Sequence, residues 1–392
     1  MTADRRSHPR IAMVSRTGRG QTGSVNIIME NARRFVAAGW DVTLVAQRLD
    51  AKDLRRRGIV GQRIRESWWP WARPQRERFK QRAESWIASQ DFDLVVAHGE
   101  LQTQDVVHIH NCVHLAHELI HGVPLPVDNP VGTVHRTLLT SQRFRALIAN
   151  SDMMRRDLIQ RFNIPENLVH TVHPGYGTER FRRDDRARFG PSVRSRLRIP
   201  ADRLLIGFIT SGNFQKRGLD LVIAAVAGLP ERLRNTIHLL VVGSDGRTPE
   251  FHRQAAAAGI GDRFTALGHQ DAIEAYYHAA DLYVLPARIE EYGLAPQEAM
   301  VCGLPAIVSD RMGVAERLPS GDRGGVLPAG DLPALRSALE RFVSDPGLRQ
   351  NWAEVCYRAC VGNTWEVNWA SHRTIYETVI AAKRAAQPKL PT

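Results

Sequence analysis

Short apolar runs alternate with helical patterns along most of this 392-residue chain. In the second half the apolar runs fall at residues 204–210, 237–243, 281–286 and 306–309, and helices are predicted between them at 219–227, 248–258 and 272–279. Continuous apolar runs of this length are typical of strands buried on both faces, as in parallel sheets covered by helices. The alternation therefore predicts an α/β protein with doubly wound parallel sheets.

The first half shows the same rhythm, with predicted strands at 10–15, 40–46, 92–98 and 105–110. A helix is expected from about Ser24 to Ala38, after a turn that contains Gly18, Gly20 and Gly23. Strand, glycine-rich turn, helix and strand form a βαβ unit. The glycines either permit a tight bend or let a ligand approach the backbone, and their spacing differs from the dinucleotide-binding pattern.

Residues 288–305 predict a ligand site in the second half, because they follow a buried strand and lead into a short helix. Pro296 suits the first helical position and Gly303 the position just after the end. A loop that runs into a helix start offers unpaired N–H groups and a positive dipole end, which favour phosphate. Glu290 and Glu298, expected in the loop and the first helical turn, either accept hydrogen bonds from hydroxyl groups or serve only as a solvated charge and a dipole partner.

Composition narrows the classes of protein. Hydrophobic residues make up 43% and charged residues 24% of the chain, as in soluble globular proteins, and no apolar run is long enough for a membrane span. The amino-terminal residues lack the apolar core of a signal peptide, and four scattered cysteines fit a reducing cytoplasm. The net charge of +12 favours anionic ligands, but no nucleic-acid-binding motif is present, so we expect no nucleic-acid partner.

Histidines are concentrated in one place, at His108, His110, His114 and His117. On a strand His108 and His110 share a face, yet no neighbouring carboxylate or cysteine completes a zinc set, so we expect no metal. Residues 52–86 are also unusual, because eleven basic side chains alternate there with aromatic ones, Trp68, Trp69 and Trp71 among them. This mixture suits either the surface of an anionic membrane or a solvated basic loop that covers its own tryptophans.

The stretch at 288–305 resembles the Glu-x7-Glu signature of the retaining glycosyltransferases of family four, which have the GT-B fold. The residues that match are Glu290, Gly293, Leu294, Pro296, Glu298, Ala299, Met300, Gly303 and Pro305, while Glu291 and Ala295 replace the family's Gly and Pro. Residues 147–181 resemble the family as well, with Ser151 as a helix cap. Residues 173–181 and 228–245, with the pair Lys216 and Arg217, are most similar to the bacterial lipopolysaccharide core glucosyltransferases.

The resemblance implies two Rossmann-like domains facing across a cleft. The first covers residues 1–175 on the acceptor side and is completed by a carboxyl-terminal helix at about 366–392, and the second covers 176–365 and binds a nucleotide sugar. It implies that Lys216 and Arg217 hold the diphosphate, Glu290 the donor sugar and Glu298 the ribose, with His110 beside the transferred sugar and His98 as its rival. Further donor contacts are implied for Gly23, Tyr292, Gly293 and Leu294.

These expectations together describe a cytoplasmic, metal-independent retaining hexosyltransferase that needs no cofactor. It would move a hexose from a UDP- or GDP-sugar, with UDP-glucose favoured, to a glycan or glycolipid of lipopolysaccharide or another envelope polysaccharide. Association with the inner face of the membrane through residues 52–86 is a further expectation. A nucleotide-sugar epimerase of the same fold and a non-catalytic membrane-binding protein remain as alternatives.

Overall fold

The computed structural model describes residues 8–20, 23–65, 75–319, 321 and 324–386. The chain divides into two compact units. The first takes in residues up to 117, residues 124–174 and the chain from 365 onward, and the second takes in 118–123 and 175–364. The sequence placed the domain boundary near residue 175 and the return to the first domain at about residue 366.

A seven-stranded sheet with the order β5-β3-β1-β6-β7-β8-β9 forms the centre of the first unit, and every strand pair in it is parallel. Its strands are β1 (Arg10–Val14), β3 (Asp41–Ala46), β5 (Val60–Arg63), β6 (Leu94–Ala97), β7 (Val106–Ile109), β8 (Ala146–Ala149) and β9 (Val169–Thr171), while β2 (Thr17–Gly18) pairs with β4 (Arg48–Leu49). The helices are α1 (Gly23–Ala37), α2 (Ala51–Arg56), α3 (Gln75–Ala88), α4 (Val113–His121), α5 (Pro130–Ser141) and α6 (Asp152–Phe162).

A six-stranded parallel sheet with the order β12-β11-β10-β13-β14-β15 forms the second unit. Its strands are β10 (Leu204–Ile209), β11 (Ile237–Val242), β12 (Phe264–Ala266), β13 (Leu282–Leu285), β14 (Ala306–Ser309) and β15 (Val326–Leu327). The helices are α7 (Arg186–Arg196), α8 (Leu219–Ala227), α9 (Glu231–Arg234), α10 (Thr248–Ala257), α11 (Ile273–Ala279), α12 (Leu294–Val301), α13 (Leu332–Ser344) and α14 (Pro346–Cys360). Two Rossmann-like α/β domains with parallel sheets are thereby confirmed.

The last helix, α15 (Trp365–Ala386), packs in the first unit although it follows the second in sequence. Its residues Tyr376, Val379 and Ile380 are buried in the same hydrophobic cluster as Phe35 of α1. The rings of Phe35 and Tyr376 stack with centroids 5.1 Å apart. Lys383 also binds Asp105 with an Nζ–Oδ2 distance of 2.7 Å, which ties the helix to the loop before β7.

The charged residues 182–198 are mostly exposed and contain α7, in which Val193 is buried and Arg194 donates to the main-chain carbonyls of Ala279 and Arg203. The helix predicted over 248–258 is α10, and Thr248, its first residue, donates its hydroxyl to the carbonyl of Asp245. Ser151 does cap α6 as expected, since its hydroxyl accepts the N–H of Met154 at 3.3 Å.

The basic and aromatic segment at 52–86 is only partly described. Trp68, Trp69 and Trp71 lie outside the described residues. Helical structure begins at Gln75, and α3 turns Phe79 into a hydrophobic cluster against which Trp86 also packs. Among the described residues, no helix combines the length and apolar character needed to cross a membrane.

Candidate donor site and histidine cluster

The loop between β13 and α12 depends on Gly293, whose φ of +100° is a left-handed conformation that favours glycine. A Cβ atom at this position would lie 2.9 Å from Cγ of Pro296 and 3.1 Å from Cε of Met312. Because Gly293 makes this turn, α12 begins at Leu294, and the expectation that Pro296 opens the helix is wrong. Gly303, with φ of +80°, follows the end of the helix as expected.

The amino terminus of α12 offers main-chain donors. The amides of Leu294 and Ala295 have no carbonyl partner within the helix, because the residues four positions earlier, Glu290 and Glu291, precede the helix. The i to i−4 hydrogen bond that closes the first turn runs from the N–H of Gln297 to the carbonyl of Gly293, at 3.4 Å. The helix dipole adds positive potential at the same end, so this terminus can receive an anion.

Glu290 is held rigidly at the mouth of the loop by a bridge to the segment around Met312. Its N–H donates to the carbonyl of Arg311 at 2.9 Å, and its carbonyl accepts the N–H of Gly313 at 3.1 Å. The carboxylate reaches Arg217, with Oε2 at 3.1 Å from Nη2. Main-chain bonds on both sides thus fix the backbone of this loop residue, and the ion pair with Arg217 is the contact that directs its carboxylate.

The Glu290–Arg217 pair retains unused hydrogen-bonding capacity. Only 16% of the Glu290 side chain and 19% of the Arg217 side chain are exposed. Even so, Oε2 of Glu290 and Nε of Arg217 are buried without a hydrogen-bond partner among the described residues, so the ion pair is not aligned as a hydrogen bond. Burial raises the pKa of Glu290, and the Arg217 guanidinium opposes that rise. A ligand that supplied hydroxyl donors to Glu290 and an anion to Arg217 would satisfy both groups.

The ammonium group of Lys216, in contrast to Nε of Arg217, has hydrogen-bond partners. Its ammonium lies 3.3 Å from both carboxylate oxygens of Glu291. Glu291 is the residue that replaces the family's glycine, so the extra acid of this chain is paired with the lysine next to Arg217. The sequence assigns Lys216 and Arg217 jointly to a diphosphate, whereas the structure leaves Arg217 as the cation with an unused donor.

Asp220 and Arg288 join the first turn of α8 to the loop after β13. The Arg288 guanidinium donates to both carboxylate oxygens of Asp220, at 3.0 and 2.7 Å. The N–H of Arg288 also donates to the carbonyl of Lys216 at 2.8 Å. A bidentate pair fixes the orientation of both partners. Asp220 therefore sets the position of the loop that carries Arg217.

Glu298 is the fifth residue of α12, so it lies in the second turn rather than the first. Its Oε2 accepts a hydrogen bond from the hydroxyl of Tyr277 at 3.0 Å. Burial raises the pKa of Glu298 to about 7, although the Tyr277 hydrogen bond and Arg180 act in the opposite direction. Tyr277 was missed by the sequence analysis, because nothing in residues 273–279 indicates that α11 delivers a hydroxyl to α12.

The side chain of Tyr292, for which the resemblance implies a contact with the donor, is buried in the second unit. Its ring is 3% exposed. Its hydroxyl contacts Gln297 and accepts a hydrogen bond from Nδ2 of Asn363 at 2.8 Å. The ring therefore supports the loop from within the core of the second unit, and Leu294, at the helix start, is half-buried.

The charges that act on Tyr283 of β13 show that Glu290, Glu298 and Arg217 lie near one another. Its hydroxyl donates to the carbonyl of Ile209 at 2.9 Å. Burial raises the pKa of Tyr283 well above its usual value, the charges of Glu298 and Glu290 raise it further, and Arg217 lowers it. The second unit thus brings Glu290, Glu298 and Arg217 around the carboxyl end of β13.

In the first unit, Gly23 is the first residue of α1, and residues 21–22 before it lie outside the described residues. His110 follows β7, where its Nε2 lies 2.7 Å from Nδ1 of His98 and the two rings stack with centroids 4.9 Å apart. His98 and His110, which the sequence treats as rivals, are thus hydrogen-bonded partners. His108 packs 4.2 Å from His110 between ring centroids, and its Nε2 bonds Oδ1 of Asn150 at 3.0 Å.

Burial lowers the pKa of His98, His108 and His110 well below the usual value, so all three rings are neutral at physiological pH. Their ligand nitrogens lie within 4.8 Å of one another, a set that could hold a metal ion. The sequence argument against a metal considered residues close in sequence, and the sheet adds His98 from the neighbouring strand. A metal would have to replace the His98–His110 hydrogen bond, and the expectation of no metal stays a prediction.

Comparison with known proteins identifies the fold. The family model described as Glycosyltransferase Family 4 matches residues 22–180, and the one described as Glycosyl transferases group 1 matches residues 192–358. The chain therefore has the GT-B fold of group 1 and family 4 glycosyltransferases. The solved structure of WaaG, a glycosyltransferase involved in lipopolysaccharide biosynthesis, aligns over 93% of this chain and 99% of its own with a TM-score of 0.78 and 18% identity.

Two further comparisons are with a curated relative and with a second solved structure. D-inositol 3-phosphate glycosyltransferase of Streptomyces bingchenggensis is 35% identical over 214 residues, which are 52% of this chain and 46% of that protein. This chain spans about half the length of the first curated relatives that it matches. HepE of Anabaena, solved with UDP and glucose, aligns over 94% of this chain and 99% of its own, with a TM-score of 0.74 and 18% identity.

Proposed function

We propose that this protein is a retaining glycosyltransferase that moves a hexose from a UDP-sugar to a hydroxyl group of an acceptor. The observation that carries the proposal is the pair of Glu290 and Arg217 beside the start of α12. Among the described residues, Oε2 of Glu290 and Nε of Arg217 have no hydrogen-bond partner. A carbohydrate joined to a diphosphate supplies both missing partners. A solved relative of the same fold binds UDP and glucose, which favours UDP over GDP.

The proposed roles follow from this geometry. Arg217 and the first amides of α12 bind the diphosphate, Glu290 binds hydroxyls of the donor sugar, and Glu298 binds the ribose while Tyr277 orients its carboxyl group. Lys216 adds positive potential that Glu291 partly balances. Gly23 and His110 keep the roles implied by resemblance. Positive charge that is already in place stabilises the departing diphosphate without a metal ion.

In the proposed step the bond between the anomeric carbon and the diphosphate oxygen breaks, and the acceptor oxygen attacks from the same face. The proton of the acceptor hydroxyl passes to the leaving phosphate oxygen, so charge and atoms balance. An acceptor in lipopolysaccharide or another envelope glycan is consistent with WaaG, and the net charge of +12 suits anionic head groups. Flotation with anionic vesicles tests whether residues 52–86 bring the protein to the cytoplasmic face of the membrane.

A transfer assay tests the proposal. The full chain is incubated with UDP-glucose, UDP-galactose or GDP-mannose, with and without a glycan or polyol acceptor, and released nucleotide and product anomer are followed by NMR. We expect UDP release that depends on the acceptor and a product of retained configuration. Donor consumption without acceptor would favour an epimerase instead. Absence of UDP binding by calorimetry would overturn the proposal.

A further inference from the structure

Two ion pairs lie side by side between the loop before α8 and the loop after β13 in the second unit. Arg217 contacts Glu290, with Nη2 at 3.1 Å from Oε2, and Lys216 contacts Glu291. The two cations are consecutive in the chain, and so are the two acids. When all four groups are ionised their charges therefore cancel, although this is the place proposed for a diphosphate.

The geometry of the Lys216–Glu291 pair allows it to open. The ammonium lies 3.3 Å from both carboxylate oxygens of Glu291. A charge-assisted hydrogen bond between such groups is usually about 2.7–2.9 Å long. A lysine carries a point charge on a flexible stem, whereas the planar guanidinium of Arg217 binds in a fixed geometry. Lys216 is therefore the cation that can exchange its acid for the phosphate of a ligand by rotation of its side chain.

The main chain on both sides of this pair is anchored. The N–H of Lys216 donates to Oδ1 of Asn213 at 2.8 Å, and its carbonyl accepts the N–H of Arg288 at 2.8 Å. Glu291 directly follows Glu290, whose N–H and carbonyl are both hydrogen-bonded. The Lys216 side chain is 22% exposed and that of Glu291 is 11% exposed. A rearrangement of the pair is thus confined to the side chains, and the more exposed one belongs to Lys216.

The charge of Glu291 acts unequally on the donor and on the product of the proposed reaction. In a UDP-sugar the terminal phosphate is esterified to the sugar. In free UDP that phosphate carries a further negative charge at neutral pH, because the second pKa of a phosphate monoester is about 6. A mostly buried acid repels a nearby anion more strongly than an acid in water does. Glu291 therefore disfavours UDP more than it disfavours a UDP-sugar.

We propose that Glu291 is a positioning residue that competes with the diphosphate for Lys216 and thereby weakens the binding of the product UDP more than that of the donor. The inference rests on the proposed function, because it concerns the same diphosphate site. When the nucleotide leaves, Lys216 returns to Glu291, so neither charge stays buried and unpaired. The site consequently releases UDP more readily than a site with two uncompensated cations would.

Calorimetry of the full chain with UDP and with UDP-glucose, in the absence of acceptor, tests this role. Glu291→Gln keeps the size of the side chain and removes its charge. We expect it to bind UDP about tenfold more tightly than the wild type does, as for one hydrogen bond gained to a charged group, and UDP-glucose with a smaller gain. Damage to the fold lowers affinity, so a merely structural role would not produce a gain. Glu291→Ala serves if Glu291→Gln fails to fold.

A double variant, Lys216→Gln with Glu291→Gln, shows whether the gain acts through Lys216, and we expect its UDP affinity to return to about the wild-type value. Glu231→Gln is the matched control for net charge, because it removes an acid at an exposed position of α9 and should leave both affinities unchanged.

Four results overturn the inference: no gain in UDP affinity in Glu291→Gln, equal gains for UDP and UDP-glucose, a gain that persists in the double variant, or the same gain in Glu231→Gln. The wild-type titration separates the two proposals. If the wild type binds no UDP, the proposed function fails together with this inference. If the wild type binds UDP and Glu291→Gln shows no gain, only this inference fails.

Discussion

Replacement of Arg217 by glutamine is the sharpest test of the donor site. The variant keeps a polar side chain but removes the cation that lies 3.1 Å from Glu290. Loss of a charged donor to the leaving diphosphate should raise the barrier by about 2.7–4 kcal/mol, by analogy with a lost oxyanion-hole donor, which lowers kcat/KM by about 10²–10³. The assay is acceptor-dependent UDP release at saturating acceptor.

The same substitution has a predictable cost in stability. Removing one partner of a buried ion pair costs about 3–5 kcal/mol when the remaining charge stays buried. Here the pKa of Glu290 is already raised by burial, so the carboxyl group can take up a proton when Arg217 is lost. We therefore expect a smaller loss, about 1–3 kcal/mol in the free energy of unfolding by urea titration, and a folded variant.

Two comparisons make the result interpretable. Lys216→Gln should lower kcat/KM less than Arg217→Gln does, because the Lys216 ammonium is engaged by both oxygens of Glu291. Arg232→Gln, at an exposed position of α9, should leave the rate unchanged. A change below threefold in folded Arg217→Gln, or an equal loss in all three variants, would refute the assignment of the diphosphate to Arg217.

Two further predictions concern the same loop and helix. Because the folded-state pKa of Glu298 is raised to about 7 from 4.5, its contribution to stability is complete below pH 4.5 and is lost as pH rises to 7. As the pH rises from 4.5 to 7, the Tm of the wild type should therefore fall relative to that of Glu298→Gln. The corresponding loss in the free energy of unfolding is at most about 1.4 kcal/mol per pH unit. A constant difference between the two proteins would contradict the raised pKa. Gly293→Ala should cost about 1–3 kcal/mol and weaken UDP binding, because φ is +100° and the new Cβ would meet Pro296 at 2.9 Å. Gly246→Ala, which has no atom within 4 Å of the added Cβ, should be close to neutral by urea unfolding and calorimetry.

Local patterns were sufficient for four strands of each sheet, which are β1, β3, β6 and β7 in the first unit and β10, β11, β13 and β14 in the second. The predicted run at 306–309 is the strand β14 without change, and the helix predicted at 219–227 is α8. These segments are continuous, apolar and bounded by turns, so burial on both faces decides their conformation regardless of their neighbours. The start of α12 was misplaced by two residues, because the left-handed turn at Gly293 overrides the preference of Pro296 for the first helical position.

The sequence by itself determined which residues could bind a sugar and a phosphate, since a charged or hydroxyl group near the end of a strand is visible in the chain. Only the tertiary structure decided how those groups are engaged. It paired Lys216 with Glu291, His98 with His110 and Tyr277 with Glu298. Each of these pairs joins different strands, helices or loops, and the choice of partner depends on sheet order and on burial, which no local pattern specifies.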